Sequence, residues 1–378
     1  MADELNITDF LDPVNLHLLS EDEGFKEGQF GKSIQIFEEE MPGLDQTDLI
    51  LLGCPEYRRN SFFPVKENGP DLIRREFYNL YYWHPEIRIA DIGNIKIGAT
   101  LKDTHAALKL VLKELRASGK TVLILGGTHD LTLAQYYSFA DENIITEGVI
   151  VDALIDLDMD SMKKSESFLM EMLTGEPNFL KHYNHIGFQS YYVQPKMLET
   201  MDKLRFDCFR LGHVKENPEE MEPIIRNAHF FSFDISSIAN AFAPANLVSP
   251  NGFTGEEACT LLRFAGLSRQ LETVGIYGYN SSKDRDRLTA RQISHMIWYY
   301  IDGKNKALRE ASLEEKDAFN EYHTSFAEVS TVFLQSKKTG RWWMQLPDQQ
   351  FIACSYNDYL MASANEIPER WMRAQERS

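Results

Sequence analysis

The chain has 378 residues, with 57 acidic against 39 basic side chains for a formal charge of −18, and globular proportions of 43% hydrophobic, 25% charged and 12% aromatic residues. That balance excludes nucleic acid and anionic membrane surfaces as partners, because no basic field exists to displace counterions. It carries no signature of large-scale disorder, and the length suffices for one large α/β unit with additions.

In chain order, residues 1–45 are acidic and weakly patterned, punctuated by glycine and proline, and read as a loop-rich lead-in. Residues 48–53 (DLILLG) are a first buried strand, and 69–82 (GPDLIRREFYNLYY) a helix with Pro70 at a favourable first-turn position. A short strand at 87–92 ends near Asp91. Residues 101–118 are a strongly periodic helix stopped by Gly119. A strand at 121–125 leads into the loop Gly126-Gly127-Thr128-His129-Asp130, where Asp130 is expected to cap the next helix.

The stretch 149–160, VIVDALIDLDMD, opens on β-branched apolar residues and ends in Asp152, Asp156, Asp158 and Asp160. Such a run fits a strand buried on both faces of a parallel sheet. Beyond it come helical residues 165–174, a strand at 185–188, a helix from Pro195, a strand at 206–209 and a helix at 218–227. Residues 228–234 (AHFFSFD) repeat the pattern of an apolar strand turning abruptly acidic. A helix at 254–267, a strand at 273–278 and a helix at 288–301 complete the series.

Repeated strand–helix alternation predicts a doubly wound, mostly parallel sheet covered by helices on both faces. After Gly303 the character changes. Residues 304–322 read as a charged helix and 329–346 as a β-hairpin turning at Lys337-Lys338-Thr339-Gly340. Residues 304–378 are therefore an appended segment, docked on the core or on a second subunit because its aromatics would be a liability in a free tail. The domain limits are 1–45, 46–303 and 304–378.

The four cysteines, Cys54, Cys208, Cys259 and Cys354, show no CxxC spacing and read as free thiols in a reducing compartment. The opening MADELNITDF has no signal-peptide pattern, and no run approaches the ~18 apolar residues that cross a bilayer. The expected location is the cytoplasm.

Parallel strands place their carboxyl ends on one edge, where α/β sheets bind ligands. His129, Asp152, Asp156 and Asp234 can therefore converge. One imidazole and three carboxylates suit Mn²⁺ or a similarly hard ion better than zinc or copper. Taken singly, each residue also fits a cap, a core histidine or a loop acid.

With these motifs the chain resembles the arginase/agmatinase/formiminoglutamase family, three-layer α/β/α hydrolases with a dinuclear manganese site. Gly126-Gly127-Thr128-His129-Asp130 resembles its GGDHS, Asp152-Ala153-Leu154-Ile155-Asp156 its DAHxD, and Ser232-Phe233-Asp234-Ile235-Ser236 its SxDxD. Weaker likenesses (GPDLIRR, ADIGNIKIG, HIGFQ) extend it from about Leu49 to Gly303, and the C-terminal extension lies outside. The resemblance implies an arginase-like fold, a homo-oligomer, a small-molecule substrate with a linear amidine or guanidino group, and a metal held by His129, Asp152, Asp156 and Asp234.

It also implies losses. Leu154 and Ser236 stand where the family has the terminal ligands of the second metal, so one ion is expected rather than two. Gly278 stands for the acid that contacts the substrate, and residues 173–176 for a loop supplying a proton shuttle. Asp158 or Asp160 could substitute for a lost ligand, and Glu176 or His182 for an acid or base. Two readings remain: a C–N hydrolase with weakened or altered activity, or an inactive homologue serving in binding or assembly, with a structural ion or none. There is no GxGxxG or GxSxG motif to support a Rossmann nucleotide site or a serine hydrolase.

Overall fold

The computed structural model describes residues 6–20, 24–59, 68–158 and 164–376. Its core is a ten-stranded sheet: β1 (Leu11–Asp12), β2 (Gln35–Ile36), β3 (Leu49–Cys54), β4 (Ile89–Ile95), β5 (Thr121–Gly126), β6 (Thr146–Val151), β7 (Leu180–Phe188), β8 (Asp207–Arg210), β9 (Phe230–Asp234) and β10 (Thr273–Tyr277). The order is β1-β4-β3-β5-β10-β9-β6-β7-β8, with β2 also beside β4. Among the described residues every pairing in this sheet is parallel except β1 with β4.

The expected mostly parallel sheet with helices on both faces is present, and the lead-in contributes two short strands to it. The central strands are apolar throughout because both faces are covered: β3, β9 and β10 are wholly buried. Two long covering helices are set by their first turns. Thr100 with Asp103 forms a capping box for Leu101–Ala117, and Thr254 with Glu257 does so for Gly255–Leu267. The helices Gly255–Leu267 and Leu288–Ala307 meet backbone to backbone, since a Cβ on Gly266 would lie 2.1 Å from the Tyr300 carbonyl oxygen.

A buried ion pair ties the helix Gly69–Phe77 to β4. Arg74 donates to both oxygens of Asp91 at 2.7 and 2.8 Å, to Asn94 Oδ1 at 2.6 Å and to the Gly93 carbonyl at 2.8 Å. Tyr78 adds its hydroxyl to Asp91 at 2.8 Å. Both charges are fully buried and fully partnered, which accounts for the GPDLIRR and ADIGN stretches together.

Beyond the helix ending at Ala307 the structure differs from expectation. Residues 304–322 are not one helix. The preceding helix ends at Ala307, and β11 (Phe319–Phe326) pairs antiparallel with β12 (Val329–Ser336) over eight residue pairs. The alternating pattern of β11 prevails over its charged composition once β12 lies beside it. The expected hairpin is present as β12 and β13 (Trp342–Gln345), and β14 (Phe351–Cys354) completes a second, antiparallel sheet. This sheet docks on the core through cation–π contact. The Arg226 guanidinium lies 4.5 Å from the Trp343 ring centroid and donates to the Trp342 carbonyl at 3.0 Å. Arg341 reaches the Leu267 carbonyl at 2.9 Å.

Candidate functional site

Four adjacent strands, β5, β10, β9 and β6, deliver the site at their carboxyl ends. His129 follows β5 in a short 3₁₀ turn, Gly278 follows β10, Asp234 closes β9, and Asp152 and Asp156 follow β6. The expected convergence takes a definite form. His129 Nδ1 lies 2.9 Å from Asp156 Oδ2, 3.0 Å from Asp152 Oδ2 and 3.8 Å from Asp234 Oδ2. His129, Asp152 and Asp156 present ligand atoms all within 4.8 Å of one another. All four side chains are buried.

The imidazole is held by two groups, Thr132 and Ser232, to which the sequence reading gave no role. Thr132 donates its hydroxyl to the His129 carbonyl at 2.8 Å, so Ser232, 2.7 Å from Thr132 Oγ1, donates to Thr132. Ser232 Oγ is therefore an acceptor toward His129 Nε2, 3.0 Å away. That fixes the proton on Nε2 and turns Nδ1 toward the carboxylates. Nδ1 is buried and, despite its short distances, makes no hydrogen bond of adequate angle. A ring nitrogen aimed among carboxylate oxygens with its partner nitrogen anchored is how proteins orient a histidine toward a metal.

Electrostatics point the same way. Burial, then the charge of Asp152, pushes Asp156 well above the ordinary carboxylate range and Asp234 up to about 6. Burial works against a charged His129, but Asp152 and Asp156 outweigh it and raise the imidazole well above its usual value. Burial likewise opposes charge on Asp152, yet His129 and Ser236 hold it below its usual value. Carboxylates that repel one another in a dry site gain from a bound cation, so the donor set fits a hard divalent ion.

A second layer fixes Asp152. His185, kept neutral by burial that lowers it to about 4, donates Nε2–H to the Asp152 carbonyl at 3.1 Å and accepts from Tyr183 through Nδ1 at 2.7 Å. Ser236 donates its hydroxyl to Asp152 Oδ1, and its amide to Asp234 Oδ1 at 2.7 Å. Residue 236 thus occupies the Oδ1 atom of both carboxylates and leaves the Oδ2 atoms facing His129.

The cavity above the cluster has a volume of about 160 Å³, and Leu154, Ser236, Glu166 and Gly278 share its lining with the four cluster residues. Gly278 adopts φ +80°, and a Cβ there would lie 2.5 Å from Asp234 Oδ2, so no acid can stand at this position without displacing Asp234.

The other expected residues lie elsewhere. His182 sits on β7 bonded to Asp207 at 3.0 Å, in a separate groove of about 850 Å³ beside the C-terminal extension. Glu176 is exposed, beyond the helix Phe168–Thr174, and is not in the cavity lining. Asp158 is also outside that lining, with its amide bonded to the Glu166 carbonyl at 3.1 Å. Asp160 lies outside the described residues. Asp130 is not a helix cap: its buried carboxylate faces His105 Nε2 at 3.0 Å and Arg59 Nε at 3.3 Å.

A mostly parallel α/β/α sandwich with a polar cluster on the carboxyl edge of its sheet is the class that fold and site define. Within that class, the chain belongs to the arginase family, whose model matches residues 47–302. It is 26% identical over 288 residues to a formimidoylglutamase of Klebsiella pneumoniae, covering 69% of this chain and 86% of that protein. A Staphylococcus aureus formimidoylglutamase is 24% identical over 251 residues, covering 62% and 78%. In fold it resembles the Trypanosoma cruzi formiminoglutamase solved with Mn²⁺ (TM-score 0.64, 17% identity, covering 70% of this chain and 96% of that one). It also resembles the Thermoplasma volcanium agmatine ureohydrolase (TM-score 0.60, 19% identity, 74% and 95%). The second sheet, β11–β14, lies beyond the family match. Among the described residues, no helix is long and apolar enough to cross a membrane.

Proposed function

We propose that this protein hydrolyses a C–N bond of a linear amidine or guanidino compound, of the formiminoglutamate or arginine type, using one divalent ion, with Mn²⁺ the best fit. His129, Asp152, Asp156 and Asp234 would hold that ion. The observation that carries the reading is the His129–Ser232–Thr132 chain, which commits Nε2 as a donor and presents Nδ1 to carboxylate Oδ2 atoms. The curated relatives named formimidoylglutamase support the substrate class.

A bound divalent ion supplies positive charge that favours deprotonation of a water and stabilises negative charge developing on the reacting group. The remaining work falls to the chain itself. Ser232 and Thr132 lock the His129 tautomer. Ser236 holds Asp152 and Asp234 in register, and Leu154 with Leu247 and Val248 provides apolar walls that limit water around the reacting carbon. Asn246 fixes the loop carrying part of that wall by donating to the carbonyls of Ser236, Ile238 and Ser249.

One ion, rather than two, follows from Leu154 and Ser236. A leucine offers no ligand atom, and the Ser236 hydroxyl hydrogen already occupies Asp152 Oδ1. The same feature favours a second reading, a family member that binds without turnover. A screen of formimidoyl, guanidino and agmatine-like substrates with Mn²⁺-loaded protein, scored by release of ammonia, formamide or urea, separates the two. Turnover lost in Asp156→Asn supports the hydrolase; a metal-loaded protein inert on every linear amidine supports the binding reading.

A further inference from the structure

The groove of about 850 Å³ lies between the end of the core sheet and the C-terminal extension, and it shares no lining residue with the cavity over the metal cluster. On the core side, all four residues of β8 and Phe206 just before it line the groove. Successive residues of a strand point to opposite faces, so five in a row mean that the groove follows the edge of the strand and not a face. β8 is the last strand of the core sheet, and β7 is its only strand partner among the described residues. None of its four residues is buried, whereas β3 in mid-sheet is buried throughout.

The opposite wall belongs to the second sheet. Ile352 and Ala353 of β14 line it, and β14 is likewise the terminal strand of its sheet. The last helix, Glu369–Glu376, fixes the span between the walls: Arg370 donates to Glu220 at 3.1 Å and to Asp358 at 3.0 Å, and Arg373 pairs with Asp207. A terminal strand on each wall offers a row of backbone N–H and C=O groups, which an extended peptide matches along its length. Charge selects among peptides. The lining holds seven carboxylates against four lysines and arginines, so the groove stays negative when its ion pairs are formed. Asp202 on the core wall and Asp348 on the extension wall are both exposed, while Phe206, Phe209 and Ile352 add half-buried apolar surface.

We propose that this groove docks an extended, cationic peptide segment of a partner protein, which adds to the edge of β8 as a further strand. β8 has four residues, so the paired stretch is ~13 Å long. Alternate side chains of an added strand point the same way. A segment that alternates lysine with a β-branched apolar residue therefore sets one row against the carboxylates and the other against the apolar surface. The extension that forms the second wall lies beyond the family match, so the groove belongs to this chain and not to the shared core.

The test titrates the full chain into three labelled peptides, each of four dipeptide repeats, and reads fluorescence anisotropy. The Lys-Val peptide is expected to bind. The Glu-Val peptide carries the wrong charge, and the Lys-Pro peptide keeps the charge but lacks every second N–H and cannot join a sheet; each should bind about tenfold more weakly or worse. Hydrogen exchange of the β8 amides should slow when the Lys-Val peptide is bound. Asp202→Lys combined with Asp348→Lys, both exposed and so expected to fold, should weaken that peptide roughly threefold or more. Equal binding of the Lys-Val and Lys-Pro peptides would reduce the effect to the net charge of the chain and overturn the proposal. So would absence of binding, protection confined to residues away from β8, tighter binding of the Glu-Val peptide, or undiminished binding by the folded double variant.

Discussion

Ser236 donates its hydroxyl to Asp152 Oδ1, so the side chain at position 236 holds this carboxylate as a hydrogen-bond donor. With Leu154 in the same cavity, positions 154 and 236 offer no imidazole or carboxylate to a second ion, which is why one ion is proposed. The double substitution Leu154→His with Ser236→Asp restores both types of donor, an imidazole and a carboxylate. Metal content by elemental analysis should rise from about one to about two Mn²⁺ per chain. No increase in a folded variant would show that the second site is closed by something other than these two side chains.

Ser232 accepts from His129 Nε2 at 3.0 Å and so selects the tautomer. Ser232→Ala removes that anchor and leaves the Thr132 hydroxyl and the ring nitrogen to rearrange. Loss of such an outer-shell partner costs ~10–100-fold in metal affinity. Competition against a fluorescent chelator measures it; unchanged affinity would mean that the ring is oriented by packing against Phe168 and Tyr277 instead.

Arg74 and Asp91 are both 0% exposed, and Arg74→Met leaves the Asp91 side chain buried without its cation, with Tyr78 and the Gly93 amide as its partners among the described residues. Breaking one side of a buried pair costs about 3–5 kcal/mol. The urea midpoint of Arg74→Met should fall accordingly, and Asp91→Asn in the same background should recover part of the loss.

Burial lowers the Lys304 ammonium to about 8, while its Nζ donates to Thr121 Oγ1 at 2.9 Å. Its folded value lies below that of a free lysine, ~10.4, so folding favours the neutral form. The resulting cost to stability is fully present below pH 8 and disappears as pH rises through 8 toward 10.4. Lys304→Met should therefore be more stable than wild type at pH 7, with the gap narrowing by pH 10. Paired urea denaturations at both pH values check this, and a gap that widens with pH would contradict it.

Much of this architecture was legible in the residues. Runs such as VIV at 149–151 and FFSF at 230–233 are apolar on both faces because they lie in mid-sheet, and their abrupt acidic ends mark the carboxyl edge. The three carboxylates of the cluster were legible for that reason, and His129 by its place in the loop after the strand at 121–125. Ser232 was not, because a serine inside an apolar strand gives no sign of whether it faces a ring nitrogen on the neighbouring loop. Glu166 stood in a helix-like stretch where any acid reads as solvated. Residues 304–322 misled because their charged composition suits a helix. Pairing of Phe319–Phe326 with Val329–Ser336 is a tertiary event that local propensity does not encode. Asp130 read as a cap by its place before a helix, but its carboxylate is taken by His105 and Arg59, which are distant in sequence.

The central claim is a single ion held by His129, Asp152, Asp156 and Asp234, and its most direct test is metal content. Protein purified with Mn²⁺ and freed of loose ions should contain about one Mn²⁺ per chain, and Asp152→Ala and Asp234→Ala, verified as folded by circular dichroism, should contain essentially none. Two ions in wild type, or one retained in both variants, would contradict the account.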